Sequence, residues 1–147
     1  MPQMVKVDEI NLPDELYYFE EGRSWAKVEP DSTVRVGLSD IAVKMASDII
    51  YIRLKPKGAS VEQGKGFGTM ESSKWVGPLK SPVAGTITEI NETLVKNPSV
   101  VLKDPYGDGW AVIIQPTNLE NDLKNLLHTP EQITAWATKE KANLQKK

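Results

Sequence analysis

Short apolar runs broken by turn-forming residues constrain this chain more than any other feature. The longest, such as DIIYI at 48–52 and AVII at 111–114, are strand-length, and ten glycines and ten prolines punctuate 147 residues. A chain that buries short extended segments between frequent turns folds as a mainly β domain. ELYYFEEGRSWAKVE, 15–29, reads as two strands joined by a Glu-Gly turn, and STVRVGLS, 32–39, continues the period of two, so a meander follows a polar N-terminal segment. LSDIAVKMASD then sets Leu38, Ile41 and Met45 at helical spacing behind a cap at Ser39 or Asp40.

DIIYIRL returns to strand, and the four glycines of KPKGASVEQGKGFGTMESS, 55–73, mark tight turns between short strands. No Gly-Lys-Ser/Thr follows them, which speaks against a phosphate loop. WVGPLKSPVAGTITEI, 75–90, supplies further extended segments broken at Gly77-Pro78 and Gly85. The stretches on either side of Lys74 each hold a turn glycine, an alternating strand and another turn, a faint duplication that puts Lys74 at a hairpin tip. NETLVKNP predicts a turn or two of helix stopped before Pro98, KDPYGDGW a turn-rich loop, and AVIIQP a buried strand. NLENDLKNLL puts Leu119, Leu123, Leu126 and Leu127 on one helical face, and TPEQITAWATKEKANLQ starts a last helix with Thr129 as cap and Pro130 at its first position.

Composition narrows the chemistry. Lys and Arg number 18 against 20 Asp and Glu, so the basic excess that gathers nucleic-acid phosphates is missing and no nucleic-acid partner is expected. The apolar runs fall short of the roughly 18 residues of a membrane span, and the acidic start is unlike a signal peptide, so the expectation is a cytoplasmic protein. Without cysteine there is no disulfide, thiolate metal site or cysteine nucleophile, and one histidine, His128, cannot build a histidine metal site or a His-Asp relay. His128 reads as a cap or a solvated side chain, and Glu20-Glu21 and Asp104 with Asp108 fall in turns where carboxylates are solvated. No catalytic residue and no metal site are expected, which argues against an enzyme.

GTMESSKWVGPLKSP, Gly68 to Pro82, holds the remaining candidate. A Ser-Lys nucleophile pair needs a buried, deprotonated lysine and an oxyanion hole, whereas a turn exposes Lys74. Exposure suits a different use: a lysine at a rigid tip can be presented to a modifying enzyme, and acylation of its amine anchors a long arm on a fixed scaffold. An unmodified turn lysine is the plain alternative. Tyr106 and Trp110 read as packing residues, and Trp75 as either a packed anchor or a contact surface.

The residues Glu71 to Pro116 resemble the glycine cleavage system H protein family. They hold in order its Glu-Ser-x-Lys tip, Ser-Pro-x-x-Gly return strand, Asn-Glu-x-Leu turn, Asn-Pro, and Asp-Pro-Tyr-Gly-x-Gly-Trp. The resemblance runs over roughly 16–127 and includes RSWAKVE and VGLSDIA. It implies a single lipoyl-carrier domain over 1–147: a lipoyl/biotinyl-type flattened β-barrel, or barrel-sandwich hybrid, with its core at about 16–127 and a C-terminal helical extension at about 129–147. It also implies lipoate amide-linked to Lys74, with Glu71, Ser72, Ser73 and Trp75 as tip residues. The partners implied are lipoate ligase or lipoyl-assembly enzymes, the glycine cleavage enzymes and dihydrolipoamide dehydrogenase. Biotin carriers flank their lysine with methionines, where this chain has Ser73 and Trp75, so biotin is disfavoured.

After the lysine the family pattern has small residues, then an acidic residue, then an aromatic; here Trp75-Val76-Gly77-Pro78-Leu79-Lys80 puts Pro78 at the acidic position and Lys80 at the aromatic one. These departures look like the H-protein-like lipoate-binding proteins of heterodisulfide-reductase-like sulfur oxidation. The first expectation is therefore a carrier of sulfur-bound intermediates to a heterodisulfide-reductase-like complex. The alternatives are an aminomethyl carrier in glycine cleavage and a non-lipoylated H-like scaffold.

Overall fold

The computed structural model describes residues 3–46, 48–74 and 76–145. The N-terminal segment, expected to be merely polar, forms a hairpin of β1 (Met4–Val7) and β2 (Ile10–Pro13). Ile10 and Leu12 are its anchors: both are buried, and their partners lie in the last helix, far along the chain. The expected meander follows as β3 (Tyr17–Phe19), β4 (Ser24–Val28) and β5 (Val34–Leu38), antiparallel throughout. Helix α1 (Asp40–Ala46) comes next, and of its two candidate caps Ser39 serves: its Oγ accepts the Ala42 N–H at 3.3 Å.

Two sheets make the body. In the first, the meander is extended by β11 (Val112–Pro116), β10 (Gly85–Ile90) and β7 (Ser60–Val61), in the order β3-β4-β5-β11-β10-β7. The second has three strands, β6 (Tyr51–Leu54), β8 (Gly66–Glu71) and β9 (Val76–Lys80), with β8 central. Alternation along the strands sends Val34, Val36, Ile87 and Ile114 from one sheet and Ile52, Phe67, Met70 and Leu79 from the other into a single buried cluster. At about 1.5–3 kcal/mol for each buried aliphatic or aromatic side chain, this cluster is the main force holding the sheets together.

Gly77-Pro78 does not break the chain as expected but lies inside β9, with Pro78 opposite Thr69. β9 is an edge strand, where a residue without an N–H costs the ladder little. Beyond β10 the predicted short helix is α2 (Glu92–Lys96), followed by an unexpected α3 (Ser99–Lys103), whose paired valines read as strand. Helix α4 (Leu119–Leu123) is shorter than its leucine pattern, because Leu127 leaves the helix to exchange backbone hydrogen bonds with Tyr18 at 2.9 and 2.8 Å. Tertiary pairing overrides periodicity there. The last helix, α5 (Pro130–Gln145), starts as predicted, the Thr129 Oγ accepting the Gln132 N–H at 3.2 Å.

Helix α5 closes a second buried cluster, in which Ile133, Trp136 and Ala137 meet Ile10, Leu12, Leu16, Tyr18, Trp25 and Ile41. Tyr106 and Trp110 pack against this cluster, as their sequence context suggested. The Tyr106 hydroxyl donates to the Asn11 carbonyl at 2.7 Å and accepts the Asp40 N–H at 2.8 Å, and burial drives its ionisation far above the ordinary range. Polar ties complete the seam: Arg23 in the β3–β4 turn pairs with the buried Glu140, and Lys139 reaches Glu20 at 3.2 Å.

Candidate functional site

Glu71 pairs with Val76 at the end of the β8–β9 ladder, so residues 72–75 form the tip of this hairpin and Lys74 stands on it. Trp75 lies outside the described residues. The hairpin projects because β6 and β8 lie close: a Cβ on Gly68 would collide with the Arg53 carbonyl oxygen. The ladder also runs one step past β6, where the Ile50 N–H donates to the Glu71 carbonyl at 2.7 Å. That step brings the chain before β6 alongside the tip.

Asp48 lies in that chain. Its Oδ1 accepts both the Ser73 Oγ–H at 2.8 Å and the Ser73 N–H at 3.2 Å. The Ser73 side-chain and backbone donors, helped by attraction to Lys74, hold the Asp48 carboxyl below the usual carboxylate range. Ser72 is buried, and its Oγ accepts the Lys74 N–H at 3.2 Å. Lys74 itself is exposed and enters no ion pair among the described residues. The backbone of the tip is thus held by polar contacts while the amine stays free to react. A free amine on a held backbone fits covalent acylation by a carboxylic acid such as lipoate, and does not fit a buried Ser-Lys nucleophile.

Of the tip residues named from sequence, Ser72, Ser73 and Lys74 are brought together, and Glu71 sits half-buried at the base, in register with Tyr51 and Val76. His128 is remote from this group: it stacks on Tyr17 with ring centroids 3.9 Å apart, and its Nδ1 lies 3.1 Å from the Leu16 carbonyl. Asp104 is spent on its own loop, accepting the Asp108 N–H at 2.9 Å. Sequence reasoning missed Asp48, since nothing local to ASDII pairs it with a residue 25 positions later; only the β6–β8 register does so.

Sequence reasoning also missed a cleft of about 110 Å³ between the β3–β4 turn and β9. Glu21, Gly22 and Arg23 form one wall, Pro78, Leu79 and Lys80 the other, and Met45 and Met70 contribute apolar surface. The walls approach closely, a Cβ on Gly22 falling 2.9 Å from that of Lys80. At about 3.3 Å per residue, Lys80 stands roughly 13 Å along β9 from Val76 at the tip. A larger cavity of about 560 Å³ borders Asp8, Lys44 and Lys141, none of which belongs to the tip or the cleft.

Comparison with known proteins gives a consistent result. A family model described as glycine cleavage H-protein matches residues 16–140. A relative from Saccharolobus solfataricus, named probable glycine cleavage system H protein 2, is 44% identical over 125 residues, 84% of each chain. Glycine cleavage system H protein 2 of Aquifex aeolicus is 43% identical over 122 residues, 83% of this chain and 76% of that one. The crystal structure of a glycine cleavage system H protein from Mycobacterium marinum superposes with a TM-score of 0.73 at 32% identity, over 82% of this chain and 95% of that one. The sheets and helices described above are accordingly those of a lipoyl-domain-type fold.

Proposed function

This chain belongs to the glycine cleavage H-protein family, and from that premise we propose that it is a lipoyl carrier, with lipoate amide-linked to Lys74, that serves the enzymes of glycine cleavage as their aminomethyl shuttle. The observation that carries this reading is one exposed lysine on a hairpin tip whose backbone is held by Asp48 and Ser72. Bound lipoate supplies a dithiolane that opens and closes by thiol–disulfide exchange. The chain's own part is to present and tether: the two-sheet body fixes the arm's root, and tethering raises the arm's effective concentration at each partner. Lipoate ligase or a lipoyl-assembly enzyme loads it, and dihydrolipoamide dehydrogenase reoxidises it. The reacting groups of each step come from those partners.

A second reading, a carrier of sulfur-bound intermediates for a heterodisulfide-reductase-like complex, has one specific observation in its favour. Pro78 and Lys80, the two positions where the chain leaves the glycine-cleavage pattern, both line the cleft beside β9. Lys80 and Arg23 outnumber Glu21 there, and this balance suits an anionic sulfur cargo better than a cationic aminomethyl group. Both relatives are numbered as second H proteins, which leaves room for a division of labour.

Reconstituted glycine decarboxylase separates the readings. Lipoylated protein that supports decarboxylation as well as an authentic H protein does would establish the aminomethyl role. Poor support, raised by Pro78→Asp with Lys80→Tyr at an unchanged thermal transition, would favour the sulfur role. Measurable consumption of glycine by the purified chain alone would contradict a carrier of either kind.

A further inference from the structure

We propose that Asp48 is a positioning residue for acylation of Lys74, an inference that rests on the lipoyl-carrier reading above. The tip between Glu71 and Val76 is too short to pack a core of its own, and its described residues Ser73 and Lys74 are exposed. Such a segment is ordered by hydrogen bonds or not at all. Its link to the rest of the molecule is a single oxygen, Asp48 Oδ1, which takes two donors from Ser73 at 2.8 and 3.2 Å. Asp48 is itself steadied, its N–H donating to the Ala46 carbonyl at 2.7 Å at the end of α1. A second hydrogen bond, from the Lys74 N–H to the Ser72 Oγ, then carries the order from Ser73 to the lysine's own backbone.

The consequence is kinetic. An acylating enzyme must receive the lysine amine in one geometry, and a tip ordered beforehand spares it the entropy of fixing the loop. Freeing one residue's backbone corresponds to roughly a five- to thirtyfold change in affinity. The effect falls on KM, because the tip is fixed equally in the bound and the reacting states. Asp48 touches neither lipoate nor adenylate and acts only through Ser73.

The test uses the full-length protein with lipoate–protein ligase, lipoate and ATP. Asp48→Ala raises KM for the protein about tenfold with kcat within about twofold, and leaves the thermal transition where it was, since the carboxylate is exposed. Asp48→Asn keeps an acceptor oxygen for both donors and restores KM to within about threefold of the parent. Adding Ser73→Ala to Asp48→Ala makes matters no worse, because the two share one interaction. An unchanged KM in Asp48→Ala overturns the proposal, and so does an Asp48→Asn protein as impaired as Asp48→Ala, which would make charge the cause. Amide hydrogen exchange tests it without lipoate: in Asp48→Ala the Ser73 amide exchanges several-fold faster while the β8–β9 ladder is unaffected, and an unchanged Ser73 rate overturns it. Parent protein that the ligase leaves unmodified would sink the lipoyl-carrier reading instead, with the exchange result still standing.

Discussion

Trp136 and Val76 are both large apolar side chains, yet one is 3% exposed in the cluster that ties α5 to the N-terminal hairpin and the other is 64% exposed at the base of the Lys74 tip. The contrast extends to their surroundings. Around Trp136, apolar burial does the holding; around Lys74, it is done by hydrogen bonds from Ser73 and Lys74 to Asp48 and Ser72. Three of the seven exposed large hydrophobics among the described residues, Ile50, Tyr51 and Val76, gather at the tip's base, where a partner that receives the arm would cover them. Stability and presentation are thus located in different parts of one molecule, and the tip can be altered for recognition without loss of the fold.

The sharpest break of this comparison is to truncate both side chains. Trp136→Ala is expected to cost about 3–5 kcal/mol of unfolding free energy, the range for emptying a buried aromatic site. Val76→Ala should stay within about 0.5 kcal/mol, as exposed substitutions do. Denaturant unfolding of the two variants measures both, and similar losses would show that the tip and the seam share one stability. Glu140→Ala comes next. It leaves the Arg23 guanidinium without its partner, and because the Arg23 side chain is 36% exposed the loss is reduced by solvent screening to about 1–2 kcal/mol. A Glu140→Ala protein of unchanged stability would remove this ion pair from the account of how α5 is held.

The smallest effect lies at the tip. Asp48 has a folded pKa depressed chiefly by its hydrogen bonds from Ser73, so its contribution is complete above the unfolded value near 3.9 and is lost as pH falls through the lower folded value. The Ser73 amide resonance should therefore hold steady down to about pH 4 and move only below it. An inflection at or above the free aspartate value would show that the hydrogen bonds do not persist in solution.

Much of this was legible in the sequence, and the limits have physical causes. Alternation in 15–39 specifies β3, β4 and β5 because strand faces repeat every two residues. The glycines and Lys74 mark the hairpin because turns have local chemistry. What stayed hidden depends on distant partners: the β1–β2 hairpin is held by a helix more than a hundred residues later, and α4 stops early so that Leu127 can pair with Tyr18. Pro78 signals a break from sequence alone, but an edge strand tolerates it. Asp48 was invisible at the site for the same reason, since its role follows from the register of β6 on β8 and from no motif around it.

The central claim, that the molecule exists to present Lys74 for attachment of an arm, is tested most directly by intact mass. After incubation with lipoate, ATP and lipoate–protein ligase, the parent protein should gain the mass of one lipoyl group, and Lys74→Arg, which keeps the charge but offers no acylable amine, should gain none. A parent protein that stays unmodified, or a Lys74→Arg protein that keeps the full gain, would contradict it.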